Sequence, residues 1–221
     1  ISLSMVNQCI ETYVTGGEEQ QLTDTFKLPA LDASLGVFSK AELRSLEDTF
    51  EVLYAGIEKT LIDEAEDFLK GRHRLSWYGA KNEFSAYRDK FNKMYVKPIE
   101  SIIKNGHAIA YIEHQPGFGG TTLARQIGWI LHSDFPVLFL KNNRESHVIE
   151  QLELIHNKTK KTVILFAEIP QTIDKDDFEN LFNQTNESRP FIFIGIKRGV
   201  FKQKFNSLYV TDWGDDVARL I

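Results

Sequence analysis

The sequence predicts an α/β protein with a three-layer αβα core around a mostly parallel sheet, preceded by a mainly helical N-terminal extension. After residue 105, short apolar segments alternate with helical segments, which is the pattern of a parallel sheet covered by helices on both faces. The strand segments are solid apolar runs, as expected for strands that are buried on both sides. Before residue 71, apolar residues recur instead at the helical period.

The predicted extension covers residues 1–70. Residues 1–15 alternate loosely in hydrophobicity, so a strand or hairpin is one interpretation of them. Ser39 and Glu42 form a capping-box pattern, which marks the start of a helix. Apolar residues then follow at steps of three and four, which predicts one long helix over about 40–70, or two helices joined near Ala55 and Gly56. The residues at these steps are Leu43, Leu46, Phe50, Leu53, Ile57, Leu61, Ala65 and Leu69.

Residues 71–105 are predicted to be a linker that contains Trp77 and the pair Arg88-Asp89, with a short helix through Met94 and another from Pro98. The predicted core covers residues 106–221. Its strands are expected at 107–112, 136–140, 162–167, 190–196 and 208–210, and its helices at 121–131, 145–156 and 175–182. Because the chain begins without Met and ends within a helical pattern, we expect a fragment whose core is truncated at its C-terminus.

Composition predicts a soluble, cytoplasmic protein without a membrane partner. Hydrophobic residues make up 42% and charged residues 26%, no apolar run reaches the roughly 20 residues that span a bilayer, and no signal pattern is present. A single cysteine, Cys9, excludes an intramolecular disulfide. The net charge is −5, yet residues 71–107 hold 8 basic and 3 acidic residues, a stretch that could face phosphate, nucleic acid or only solvent.

A glycine-rich loop joins the first core strand to the helix that follows it. The loop and first turn are Pro116, Gly117, Phe118, Gly119, Gly120, Thr121 and Thr122. Small residues let backbone N–H groups approach phosphate oxygens, and the helix N-terminus attracts the anion. This arrangement predicts a P-loop, in which these seven residues bind the phosphates of a nucleotide. The alternative is a glycine-rich turn without a ligand.

The loop departs twice from the usual pattern GxxxxGK[ST]. His114 stands at the position of the first glycine, and Gly120 stands at the position of the lysine that normally reaches the phosphates. Thr121 keeps the hydroxyl that is expected to meet Mg²⁺. The sequence therefore predicts ATP or ADP binding with Mg²⁺ and weak or absent hydrolysis.

Three further residues are candidates for the same site. Glu168 ends an apolar strand as the Walker B acid does, although Ala167 replaces the first acid of that motif, and we expect Glu168 to order Mg²⁺ and take part in any catalysis. Arg198 follows the next strand and could sense the terminal phosphate. Arg88 and Asp89 precede the loop in the sequence. In several ATPase classes an Arg-acid pair at this position leads into the segment that packs on the nucleotide base. Each of the three could instead be an ordinary surface charge.

The segment "HQPGFGGTTLA" closely resembles the GGTT form of the Walker A loop in the STAND class of P-loop NTPases. Within that class it is most similar to the central domain of the sterile alpha motif domain-containing protein nine family. The likeness covers about residues 66–198, and "FPVLFLKNN" is similar too. Upstream landmarks of the likeness are Gly71, Ser76, Trp77, Phe84, Arg88 and Asp89.

The resemblance implies a nucleotide-controlled switch that acts in signalling or antiviral defence, with slow or absent ATPase activity. Its partners would be nucleotide and other domains of a longer protein, with possible oligomerisation. Two alternatives stay open: a degenerate P-loop scaffold that acts through protein contacts, and a nucleic-acid-binding module. The latter would use the basic stretch 71–107, where aromatic residues stand among the charges, although the acidic net charge and the loop argue against it.

Overall fold

The computed structural model describes residues 25–54, 56–57, 59–60, 64–87, 91–104, 106–141, 147–169, 175–198 and 207–210. The strand or hairpin predicted over residues 1–15 lies outside these residues, as do Cys9, Arg88 and Asp89. Within the described ranges, no helix combines the length and the apolar character that crossing a bilayer demands.

The strands of the described chain form two sheets. Strands β1 and β2 pair antiparallel, and the other six form one sheet in the order β3-β5-β6-β7-β4-β8. Every neighbouring pair in the large sheet is parallel except β3, which runs antiparallel to β5. The bounds are β1 Thr25–Lys27, β2 Val37–Ser39, β3 Phe50–Leu53, β4 Ala108–His114, β5 Val137–Leu140, β6 Val163–Ile169, β7 Phe191–Arg198 and β8 Ser207–Val210.

Helices cover both faces of the large sheet. Helices α3, α4 and α5 and a π-helical turn pack on one face, and α1, α6 and α7 pack on the other. The fold is therefore a three-layer αβα sandwich, as the sequence predicts. The bounds are α1 Lys40–Thr49, α2 Ala65–Leu69, α3 Trp77–Lys81, the π-turn Asn92–Val96, α4 Lys97–Lys104, α5 Gly120–Leu131, α6 Val148–Thr159 and α7 Lys175–Asn183.

The core elements follow the predicted order. Each strand predicted between residues 107 and 210 is present, and so is each predicted helix between the strands. The strands were recognisable because side chains on both of their faces are buried, as in β6, where Val163, Leu165 and Phe166 are each at most 1% exposed.

The prediction of a long helix over about 40–70 is wrong. Helix α1 begins at the predicted capping box, where the backbone N–H of Ser39 donates to Glu42 Oε2 at 2.9 Å, but it ends at Thr49. The next four residues form β3, in which Phe50 pairs with Leu140 of β5 and is fully buried. The spacing of apolar residues reports only a local helical period. It does not show that the backbone N–H and C=O groups of residues 50–53 pair with a strand that is distant in the sequence.

Residues 71–105 do not behave as a linker where the structure describes them. Trp77, Phe91, Tyr95 and Ile99 are each at most 5% exposed and belong to the same core cluster as strand residues such as Ile112. This segment supplies part of one helical layer of the sandwich, beside α5. The boundaries between an extension, a middle segment and a core stay a prediction.

A buried arginine joins the edge strand β3 to helix α5. The side chain of Arg125 is 5% exposed, its Nη2 lies 2.7 Å from Glu51 Oε2, and its guanidinium lies over the rings of Trp77 and Phe139 at 4.8 and 4.7 Å. Removing one partner of such a pair leaves a buried charge without compensation. The Glu51 side chain is 38% exposed. Water therefore screens the ion pair, which reduces the expected loss of stability.

We therefore expect Glu51→Ala to lower the free energy of unfolding by about 2 kcal/mol. Urea unfolding followed by circular dichroism measures the change. Asp48→Ala, which removes a carboxylate from the exposed face of α1, is the matched control and should change stability by less than about 0.5 kcal/mol. Equal effects from the two variants would contradict a role for the Glu51–Arg125 pair.

Candidate functional site

The carboxyl ends of three parallel strands meet at one edge of the sheet. His114 ends β4 and pairs in register with Arg198 of β7, and Ile196 of β7 pairs with Glu168 of β6. Parallel α/β sheets bind ligands at this edge. A cavity of about 320 Å³ opens there, and it is lined by Arg74, His114, Thr121, Glu168, Ile169, Ile196 and Arg198.

The predicted phosphate loop leads from β4 into α5 at the same edge. Gly117 and Gly119 adopt φ values of 84° and 72°, in the left-handed region that favours glycine. The Phe118 N–H donates to the Gln115 carbonyl at 3.1 Å, which closes the turn. The first intrahelical bond runs from the Leu123 N–H to the Gly119 carbonyl, at 2.8 Å.

The amides of residues 120–122 precede that bond, so the intrahelical ladder does not use them. Gly119, at the cap position, provides no side-chain bond to them. The loop therefore presents consecutive backbone donors at a helix N-terminus, which is the arrangement that binds phosphate. Of the seven predicted loop residues, Thr121 lines the cavity, Pro116 and Gly117 are exposed, and Phe118 packs against the core.

The two departures from the usual loop pattern are sterically coupled. A Cβ atom on Gly120 would lie 2.1 Å from Cδ2 of His114 and 2.4 Å from its Cγ. The imidazole is 5% exposed, and its Nδ1–H donates to the Gln115 carbonyl at 2.9 Å. The ring of His114 thus occupies the space into which the side chain of a lysine at position 120 would have to extend. The loop pattern in the sequence does not reveal this contact between the two positions.

Thr121 and Glu168, both predicted for the site, are in direct contact. The Thr121 hydroxyl donates to Glu168 Oε1 at 2.9 Å, across the gap between α5 and β6. A hydroxyl and a carboxylate are hard oxygen donors that suit Mg²⁺, which binds few protein groups and completes its shell with water and phosphate. In the part of the chain that the structure describes, no group of three or more His, Cys, Asp or Glu could hold a metal. The hydroxyl of Thr121 and the carboxylate of Glu168 fit a magnesium ion that phosphates and water also coordinate.

Arg74 is a site residue that the sequence did not single out. Its Nη1 lies 2.9 Å from the same Glu168 Oε1 that accepts the Thr121 hydroxyl, and it lines the cavity. The only signal in the sequence was its position in the basic stretch 71–107. That stretch gave no indication of which strand end the guanidinium would reach.

The other predicted site residues differ in outcome. Arg198 lines the cavity at the end of β7, and its role as a sensor of the terminal phosphate stays a prediction. Arg88 lies outside the described residues. Of the aromatic residues in the basic stretch 71–107, Trp77 is 5% exposed, and Phe84 and Tyr87 are partly buried and pack against the core. The nucleic-acid interpretation stays a prediction, with fewer exposed rings than the sequence suggested.

The chain is a three-layer αβα sandwich in which a glycine-rich loop joins β4 to α5. Comparison with protein-family models finds none that matches it, and no curated protein matches it either. Solved structures do match, among them the structure of C. elegans PCH-2, with 12% sequence identity and a TM-score of 0.37 over 59% of this chain. The match covers 46% of the C. elegans chain, less than half of its length.

Proposed function

We propose that this chain is a nucleotide-binding switch domain that takes ATP or ADP with Mg²⁺. The observation that carries the proposal is the hydrogen bond between Thr121 and Glu168. Both residues line the cavity, and the adjoining loop begins a helix whose first amides make no intrahelical hydrogen bond. A hydroxyl from the phosphate loop and a carboxylate from a strand end are the two protein groups that a nucleotide-bound magnesium ion needs.

Each group has a defined role in binding. The amides of residues 120–122 donate to phosphate oxygens, and Arg198 adds positive charge at the end of β7. Thr121 and Glu168 supply oxygen ligands to the metal. Magnesium, when bound, neutralises part of the phosphate charge. We propose that turnover is slow or absent, because Glu168 is the single acid at the end of β6 and already bonds two other side chains.

The wider role as a STAND-type switch rests on the sequence resemblance. We propose that nucleotide binding biases the arrangement of other domains, or oligomerisation, in a signalling or antiviral defence protein of the cytoplasm. Such a switch needs two states with different affinities for nucleotide. Comparing the oligomeric state with and without Mg-ATP by light scattering tests this part separately from binding.

Thr121→Ala is expected to weaken binding of Mg-ATP and Mg-ADP at least tenfold, which corresponds to about 1.4 kcal/mol. The reason is the loss of one of two protein oxygens that face the metal. Isothermal titration calorimetry measures the change. Ser133→Ala removes a hydroxyl beyond the opposite end of α5 and should leave affinity within twofold. Equal affinities for wild type and Thr121→Ala would place the nucleotide elsewhere.

A second candidate function is a P-loop scaffold that binds no nucleotide. It is favoured by the glycine at position 120 and by the ion pair that engages Glu168. A rise of several degrees in the unfolding temperature with millimolar Mg-ADP would contradict the scaffold, because only a ligand that prefers the folded state stabilises it. A folded chain with no shift and no calorimetric signal would contradict the switch.

A further inference from the structure

We propose that Arg74 supplies the phosphate-binding charge that the loop lacks, and that Glu168 holds this guanidinium until nucleotide binds. The inference rests on the proposed function, since it assigns a residue and a control step to the same site. Arg74 precedes the loop by more than 40 residues in the sequence, so no loop pattern includes it.

The loop cannot supply this charge itself. Position 120, where a lysine normally reaches the phosphates, is glycine, and the ring of His114 fills the space beside it. Tri- and diphosphates carry several negative charges, and the amides of a helix start neutralise them only in part. A second source of positive charge at the cavity is therefore required, and the lining residues include two arginines, Arg74 and Arg198.

Arg74 has a fixed backbone and a movable side chain. The residues after it are anchored, because Leu75 is 2% exposed, Ser76 caps α3 by accepting from the Gly79 N–H at 3.0 Å, and Trp77 is 5% exposed. The Arg74 side chain itself is 66% exposed. The chain thus delivers a guanidinium to the cavity without burying it, and a guanidinium can donate two parallel hydrogen bonds to a phosphate.

One oxygen atom links Arg74 to the magnesium-binding groups. Glu168 Oε1 accepts from the Thr121 hydroxyl and lies within 2.9 Å of Arg74 Nη1. A metal ion held by Glu168 and Thr121 would neutralise the carboxylate, which would then attract Arg74 less strongly. The released guanidinium then donates to the phosphate oxygens in the same cavity. Arg74 is in this way a stored cation: Glu168 holds its guanidinium, and the guanidinium moves to the phosphates only when metal and nucleotide bind together.

The first test compares Arg74→Ala with Arg72→Ala by calorimetry with Mg-ATP and Mg-ADP. Arg72 is a close control, because it is a neighbouring exposed arginine whose Nη1 bonds Asp67 at 2.7 Å and does not line the cavity. We expect Arg74→Ala to raise the Kd for Mg-ATP at least tenfold, and Arg72→Ala to change it less than twofold. Arg74→Lys, which keeps the charge but not the paired donors, should recover part of the loss.

The second test examines the exchange in magnesium-free buffer with EDTA. There, Glu168→Gln should tighten ATP binding several-fold, because the guanidinium is no longer held by a carboxylate. The same substitution in an Arg74→Ala background should lose most of this gain. A gain of equal size in both backgrounds would mean that Glu168 acts on ATP by simple repulsion, and it would overturn the stored-cation proposal.

The outcomes separate this inference from the proposed function. Wild-type chain that binds Mg-ATP, together with Arg74→Ala that binds it equally well, overturns the role of Arg74 and leaves the proposed function intact. Folded wild-type chain that binds neither nucleotide overturns both. Unfolding curves of each variant show whether the fold is retained, and the exposure of Arg74 predicts that it is.

Discussion

Gly120→Lys is expected to weaken nucleotide binding at least a hundredfold, although the common phosphate-loop pattern has lysine there. A Cβ on Gly120 would lie 2.1 Å from a carbon of the His114 ring, far inside any van der Waals contact. The ring cannot yield easily, because it is 5% exposed and bonded to the Gln115 carbonyl. Overpacking of this kind costs about 1–3 kcal/mol or more and displaces the backbone, so the amides of the loop lose their alignment.

The double variant His114→Gly with Gly120→Lys is expected to restore binding. It recreates the usual Gly and Lys together, and it removes the ring from the space that the lysine stem needs. We expect it to bind Mg-ATP at least as tightly as the wild type, whereas Gly120→Lys alone binds at least a hundredfold less tightly. Calorimetry with unfolding curves measures both properties, and His114→Gly alone is the control. If Gly120→Lys binds as well as the double variant, the two positions are not coupled.

Trp77→Ala is expected to be the most destabilising single truncation in the segment 71–105. The indole is 5% exposed and meets the ring of Phe139 edge-on at a centroid distance of 5.6 Å. It also packs on α5 where Gly128 leaves room, since a Cβ at that glycine would lie 3.0 Å from the indole. Loss of a buried Trp side chain costs about 3–5 kcal/mol.

Urea unfolding measures this effect, with Leu69→Ala as the control because Leu69 is a large apolar side chain that is 74% exposed. We expect the control to change stability by less than about 0.5 kcal/mol. Trp77→Ala should also weaken Mg-ATP binding in the fraction that stays folded, because Trp77 anchors the backbone beside Arg74. Similar unfolding curves for the two variants would show that this segment is a linker after all.

Local sequence patterns were sufficient to predict the central sheet and one contact of the site. Strands β4, β6 and β7 are solid apolar runs, and parallel strands bring their carboxyl ends to one edge. That rule alone predicts that a loop hydroxyl and a strand-end acid meet, and Thr121 and Glu168 are 2.9 Å apart. The glycines of the loop were equally readable, because the positive φ of Gly117 and Gly119 favours that residue type.

The sequence by itself determined the layered α/β core, the position of the glycine-rich loop and the acid that lies beside it. Only the tertiary structure decided that residues 50–53 are a strand, that Arg74 reaches Glu168, and that His114 excludes a side chain at position 120. The strand at residues 50–53 and the position of Arg74 depend on contacts between residues far apart along the chain. The exclusion at position 120 depends on the direction in which the His114 ring points. Periodicity and spacing report what a segment can form locally, whereas these three features depend on which distant atoms share the same space.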